Sequence, residues 1–427
     1  MKARGVHLQY RFEADDVSAS QRGAALHNPL FDLLTAVHDQ GSIQQAAKAM
    51  GASYRHVWGE LKRWQDVLGE ALVVWNKGQP ARLTAFAERL LWAETRARTR
   101  LTPHIEALRA ELQRVLAEAL DGSQQVLTVF ASHDGALTLL RDLASQAHGL
   151  HIELRFAGSV DALRALAQGR CLVAGFHVPP LAGGSRQFAA ALKPLLKPGL
   201  HKLIGCLRRS QGLMVRPGNP LRIQGLADLR SDRPASAGGP ARFVNRQAGS
   251  GTRLLMDHLL AEAGLVPESI AGYLTAHEDS DVAVAAALAG GGSVGGGAPG
   301  RGAGRGAGAG LGAGTSTEVG VPAGTLADAG PGNAAAAAQF GLGFIPLVEE
   351  DYYLVCLKDA LDHPAVAKLR EALVSPAWPL ALTGLPGYAP ARSGEVLSLT
   401  QALPWWHFRV ARKPDAAISA PPTPGSV

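Results

Sequence analysis

Cysteine is scarce in this sequence: three in 427 residues, Cys171, Cys206 and Cys356, each inside an apolar run and none in a CxxC pair. The odd count and wide spacing argue against a disulfide framework or a zinc site, and favour buried free thiols in a reducing compartment. Long apolar runs are missing as well. No stretch is long and charge-free enough to span a bilayer, and the opening MKARGVHLQYRFEADD lacks the apolar core of a signal peptide. A cytoplasmic location with no membrane partner is therefore expected. There is no GxxxxGK[ST] phosphate loop, and no Ser-His-Asp arrangement follows from spacing. What the chain does have is a mild positive excess, +6 at pH 7 with a pI of about 9.3. That permits nucleic-acid binding and equally describes a solvated basic surface. A hydrophobic fraction of 47% over 427 residues supports two or three packed domains.

Residues 41–64, GSIQQAAKAMGASYRHVWGELKRW, hold the densest local signal. Ser42 is placed to cap a short helix with a buried face of Ile43, Ala46, Ala47 and Met50, and the two alanines let another helix approach closely. Gly51 supplies a tight turn. Ser53 caps the next helix, whose apolar side is Val57, Leu61, Trp64 and Leu68. The first turn of that helix carries Ser53, Tyr54, Arg55 and His56, all with hydrogen-bonding side chains. A helix-turn-helix places its base-reading residues there, because a helix N-terminus fits the major groove. Lys62 and Arg63 suit phosphates. Upstream, Asn28-Pro29 starts a helix over 28–39, and GVHLQYRFE at 5–13 alternates as a short strand. Downstream, 72–84 reads as strand, Gly-Pro turn, strand. Asn76, Lys77 and Arg82 near its tip fit a wing on the DNA backbone or in the minor groove. Helix returns from 85 to about 120, and Pro103 is expected to begin a second segment after Thr102. A helical hairpin with a solvated basic face stands beside the DNA-binding reading. The ordered series of helix, helix-turn-helix, wing and long helix favours the latter.

Those residues resemble a known family. LLTAVHDQGSIQQAAKAMGASYRHVWGEL, followed by ARLTAFAERLL, is similar to the N-terminal winged helix-turn-helix of LysR-type regulators. The run Ser53-Tyr54-Arg55-His56-Val57-Trp58 is closer still to ModE-type, molybdate-responsive regulators. The resemblance implies a homodimer, with the long helix after the wing supplying its seam and an inverted-repeat operator in double-stranded DNA.

Beyond Asp121-Gly122-Ser123 the texture changes. Short apolar runs (VLTVFAS, HIELRFA, CLVAGFHV) alternate with amphipathic stretches, the β-α-β-α pattern of a parallel sheet with helices on its faces. Four loops could line a site. They are Ala131-Ser132-His133-Asp134; Gly158-Ser159; Gly175-Phe176-His177; and residues 245–253, NRQAGSGTR, with Arg246, Ser250, Thr252 and Arg253. Three are strand-to-helix turns rich in Ser, Thr or Gly, where open N–H groups and hydroxyls suit an anion at the carboxyl ends of the strands. Plain helix capping accounts for any one of them alone, and His133 with Asp134 fits a catalytic pair or a buried hydrogen-bonded one.

AGFHV, LMVRPGNP, RFVNRQAGSGTR and FGLGFIPLVEEDYYLVC resemble the periplasmic-binding-protein-like sensor domains fused to ModE-type DNA-binding domains. The resemblance implies two α/β lobes, with the chain crossing near 215–218 and returning near 345–353. Ser132, Ser159, Arg246, Ser250, Thr252, His277 and Tyr352 would face the cleft, and the ligand would be a small oxyanion, molybdate or tungstate. The sequence departs from that pattern in the Gly/Ala-rich segment at about 290–325, expected to be a disordered insertion, and at Pro331, where an apolar residue suits a strand better. The organisation expected is a winged helix-turn-helix over 1–84, a linker and dimerisation helix over 85–121, a two-lobed α/β domain over 122–395 and a disordered tail over 396–427. With the two resemblances together, the expectation is a DNA-binding regulator that is not an enzyme and carries no cofactor. The alternatives are a sensor of another small molecule or molybdenum-cofactor-related compound, and a solute-binding protein or enzyme that binds no DNA.

Overall fold

The computed structural model describes residues 28–74, 81–120, 125–179, 186–290 and 327–406. The strand expected at 5–13, the wing-tip residues Asn76 and Lys77, nearly all of the Gly/Ala-rich segment and the last part of the tail lie outside the described residues.

The N-terminal unit is set by its caps. Asn28 accepts a hydrogen bond from the Leu30 N–H at 3.0 Å and Pro29 opens α1 (Pro29–Gln40), which ends at Gly41 with φ of +58°. Ser42 caps α2 (Ile43–Ala49), and Ser53 accepts from the His56 N–H at 3.2 Å to start α3 (Tyr54–Leu68). Strands β1 (Val73–Val74) and β2 (Arg82–Leu83) pair antiparallel as the base of the hairpin. Leu34, Val37, Ile43, Ala46, Val57 and Leu61 close the core between the three helices. Ala46 stands where α2 must approach its neighbours, so a larger side chain there has no room.

α4 (Ala85–Leu120) then runs unbroken through Pro103, contrary to the expected restart at that residue. The proline removes one hydrogen bond to the preceding turn. The helix continues past it because α4 is braced along its length by the following domain.

The α/β domain opens with β3 (Gln125–Ala131), α5 (Gly135–His148), β4 (Leu150–Phe156), α6 (Ser159–Ala167), β5 (Val173–Val178) and α7 (Arg186–Leu192). Strand β3 lies parallel to β4 and β5. The long β6 (His201–Val215) follows and leads into a second lobe. That lobe holds β7 (Asn245–Arg246), α8 (Gly251–Glu262), β8 (His277–Glu278), α9 (Asp281–Ala289), β9 (Ala329–Asn333) and α10 (Ala334–Gln339). Strand β10 (Gly343–Leu357) returns antiparallel along the whole of β6. The chain then adds α11 (Pro364–Val374), α12 (Ala377–Leu382), β11 (Tyr388–Pro390), β12 (Val396–Leu397) and α13 (Leu399–Ala402). The crossing between lobes is therefore made inside β6 and β10 themselves. Residues 201–207 and 352–357 belong to the first lobe's sheet, and 211–215 with 343–346 belong to the second. Register shifts at Pro346/Val348 and Tyr352/Tyr353 curl the sheet between them.

In the first lobe α5, α11 and α12 cover one face of the sheet, and α6, α7 and α13 cover the other. The tail expected from 396 is partly ordered instead: Leu399, Leu403 and Trp405 are buried in the second of these cores. Burying three such side chains contributes several kcal/mol, roughly 1.5–3 each, and that offsets the ordering of a short segment. In the second lobe AGPGN forms β9 despite Pro331. It pairs antiparallel with β6 and meets residues 242–244 on its other side through Ala329, and its glycines let Met214 and Val244 pack against the backbone.

Candidate functional site

Two surfaces carry the residues singled out above. On α3, Ser53, Tyr54, Arg55, His56, Lys62 and Arg63 are all exposed, while Val57 and Leu61 point inward. Spacing of three and four residues adds Trp58 to the face of Tyr54, Arg55 and Lys62. Trp58 is 42% exposed and Tyr54 49%. Trp58 was legible in the sequence only as part of a motif; a large apolar side chain on a polar helix face was the signal. Two of the expected contacts are partly engaged already. The Ser53 hydroxyl caps its own helix, and Arg63 pairs with Glu60 at 2.5 Å while lying over the Trp64 ring. Arg82 is exposed on β2.

The second surface lies between the lobes. Loop 131–134 ends β3 and starts α5. There Asp134 accepts from the Ala136 N–H at 2.8 Å, capping the helix with one oxygen. Its other oxygen accepts from Arg209 at 2.6 Å and from the Tyr388 hydroxyl at 3.0 Å. Arg209, on β6, is fully buried and also donates to Glu350 on β10 at 2.7 Å. Across the cleft Asp281, at the start of α9, accepts from Arg246 and from Asn333 at 3.1 Å. Gln211 and Thr252 complete its shell, each at 3.3 Å, and Gln211 donates to Thr252 at 2.8 Å. Burial pushes both aspartates up. His177 and Arg209 outweigh it at Asp134, and Arg246 and Arg209 outweigh it at Asp281, so both stay below the usual carboxylate range. Burial and the Arg209 charge hold His177 below the usual imidazole range, hence neutral at pH 7. Three buried carboxylates thus face two buried guanidiniums.

Ser132, Ser159, Arg246, Thr252 and Tyr352 come together around this network. Ser132 lies 3.3 Å from His177, and the Tyr352 ring meets the His177 ring edge-on at 4.4 Å. Gly158 and Ser159 at the head of α6 touch Gly249 and Gly251 at the head of α8. A side chain on Gly158 would stand 3.1 Å from the Gly249 carbonyl, and one on Gly251 2.9 Å from the Ser159 hydroxyl. The lobes are therefore closed on each other, with the Ser159 hydroxyl buried and without a hydrogen-bond partner among the described residues. Ser250 caps α8, accepting from Arg253 and donating to Gln247, so its hydroxyl serves the helix. His133 is half-buried against Phe156 at 4.7 Å. His277 departs from expectation. It is exposed on β8, because strand alternation turns its neighbour Glu278 inward instead. Arg209, Gln211, Asp281, Asn333 and Glu350 were not singled out in the sequence, since nothing local marks a residue whose partners lie 29 to 141 positions away.

Residues 140–308 and 317–374 match the PBP superfamily domain, over half of the chain. The chain belongs to the PBP superfamily. Residues 30–88 match the bacterial regulatory helix-turn-helix of the lysR family, so this PBP-like domain follows a LysR-family helix-turn-helix, the build of a LysR-type regulator. The PBP-superfamily chain is 28% identical over 243 residues to the uncharacterized protein YvgK of Bacillus subtilis (strain 168). The match covers 57% of this chain and 64% of YvgK, so the chain spans less than two thirds of that relative. Among solved structures, full-length BenM is 13% identical, covering 86% of this chain and 99% of its own, with a TM-score of 0.37. ArgP from Mycobacterium tuberculosis is 17% identical, covering 84% and 98%, with a TM-score of 0.34. At such scores neither likeness decides anything. Neither family match speaks of ModE-type proteins or of molybdate.

Proposed function

We propose that this chain is a transcription regulator that reads double-stranded DNA with α3 and responds to a small ligand closing its PBP-like cleft. One observation carries the DNA half: an exposed first helical turn of Tyr54, Arg55 and His56, extended by Trp58 and Lys62, on the second helix of a LysR-family helix-turn-helix. Phosphate contacts from Lys62, Arg63, Arg82 and the wing would position that turn over the bases. In the cleft, the heads of α6 and α8 converge with the buried Ser159 hydroxyl, which supports a small oxyanion such as molybdate or tungstate held by neutral donors. Arg246 contributes little free charge, because Asp281 neutralises it. A second reading has its own support. The carboxylate excess, with acceptor oxygens on Glu350 and Gln211 that have no partner among the described residues, favours a ligand that brings hydrogen-bond donors.

Thermal unfolding of the full chain with sodium molybdate, tungstate or sulfate separates the two. At a hundred times the dissociation constant an anion adds about 2.7 kcal/mol, a rise of roughly 5–10 °C in Tm, and Ser159→Ala removes most of it. No rise with any of the three anions discards the oxyanion and leaves the donor-bearing ligand.

The active form is a homodimer on an inverted-repeat operator. Its support is an exposed stripe on α4, Leu101, Leu108 and Val115, spaced by seven residues as a two-helix seam requires. Leu108→Glu should therefore sediment as a monomer at micromolar concentration, with wild type as a dimer; equal sedimentation of the two would place the seam elsewhere.

A further inference from the structure

The helix that leads from the DNA-binding unit is tied to both lobes of the cleft. Arg96 and Arg100, one turn apart on α4, both donate to Glu278 on β8. Arg96 does so at 2.9 Å, and Arg100 binds the two carboxylate oxygens with Nε at 3.0 Å and Nη2 at 2.8 Å. The Glu278 carboxylate is almost fully buried. Trp92 of the same helix lies over Gly290, at the end of α9, where no side chain would fit, and Arg96 stacks on Trp92. Ten residues beyond Arg96 the grip passes to the other lobe: Glu106 accepts from Arg141 of α5 at 2.8 Å, both side chains largely buried.

Glu278 also stands next to the cleft. It pairs directly with Arg246 across the β7–β8 ladder, and its carbonyl accepts from the Gln247 N–H at 3.1 Å. Arg246 in turn holds Asp281 and the Asp279 carbonyl. One residue therefore joins the strand that carries the cleft arginine to the middle of α4.

We infer that Glu278 is the positioning residue through which closure of the cleft acts on α4. A stiff helix clamped to one lobe at 96 and 100 and to the other at 106 cannot keep both grips when the lobes separate. Opening releases the Glu278 grip or drags α4 with the second lobe, and α4 is continuous with the packing of α1 and β2. A bidentate carboxylate between two guanidiniums has one good geometry, which makes the grip discrete rather than elastic. The inference rests on the regulator reading only in taking α4 as the route to the DNA-reading helix.

The test needs no ligand. Gly158→Val wedges the cleft, since the new side chain meets the Gly249 backbone while a φ of −60° leaves the residue itself unstrained. In the full chain, amide hydrogen exchange at 92–102 should quicken about tenfold with that wedge. In a Glu278→Gln background, exchange there should already be raised, and the wedge should add less than about twofold. Arg100→Gln serves as a second background should Glu278→Gln fold poorly. An equal response to the wedge with and without Glu278, or no response in either, overturns the inference. A purely structural role would make the two changes additive. DNA binding by the unmodified chain is read separately, so failure of the regulator reading would show there and not in the exchange cycle.

Discussion

Arg209→Met is expected to strip the α/β domain of about 3–5 kcal/mol, on the order of 10 °C in Tm for a domain of this size. Arg209 sits on β6 where the two lobes join, and its guanidinium answers Asp134 from the first lobe and Glu350 from β10, with Asp281 of the second lobe at 4.0 Å. Methionine fills similar volume and supplies no charge. The carboxylate of Asp134 would then stay buried with Tyr388, the Ala136 N–H and the neighbouring His177 to hold it, and that of Glu350 would lose the guanidinium it pairs with. Uncompensated buried carboxylates escape by taking up protons, so their pKa values rise above those of the unfolded chain. A group shifted in that direction destabilises at high pH and is relieved as pH falls through its folded value. The gap between variant and wild type should therefore narrow from pH 8 to pH 5. Arg209→Lys, which keeps charge and loses the fork, should fall in between. Chemical denaturation at the two pH values measures this. A loss under about 1 kcal/mol that does not change with pH would mean that the network is not the junction described above.

The second large effect concerns DNA. Arg55→Ala should weaken specific operator binding by about 1–3 kcal/mol, roughly 5- to 150-fold, and relax base preference at one position in each half-site. Arg55 is exposed in the first turn of α3, one residue from Tyr54 and three from Trp58, and its guanidinium can fork to a guanine edge. Lys62→Ala, on the same face, should act differently. It should lower affinity for all sequences alike and reduce the salt slope by about one. Fluorescence anisotropy against operator and random duplex, at several salt concentrations, distinguishes the two. Equal affinity of Arg55→Ala and wild type for the operator would remove α3 as the reading element.

Much of the architecture could be read before any coordinates. Asn28, Ser42 and Ser53 each cap the helix that begins after them as expected, while Ser250, expected at the ligand, caps α8 instead. The loops named around Ser132, Ser159 and residues 245–253 do converge. His277 was misplaced because a two-residue strand shows no alternation long enough to reveal which neighbour turns inward. Pro103 and Pro331 misled for a related reason. Each breaks a local rule, and each is accommodated by elements far along the chain: the domain bracing α4, and β6 pairing with all five residues of β9.

The sequence by itself determined the helix starts, the amphipathic faces and the strand-to-helix loops that meet between the lobes, because these depend on groups within about four residues of each other. Tertiary structure alone decided which charges meet. Arg209 finds Asp134 at a separation of 75 residues, and Arg96 finds Glu278 at 182. A pairing across such distances leaves no periodic trace, since it is selected only when folding removes water from both partners and makes an unpaired charge intolerable.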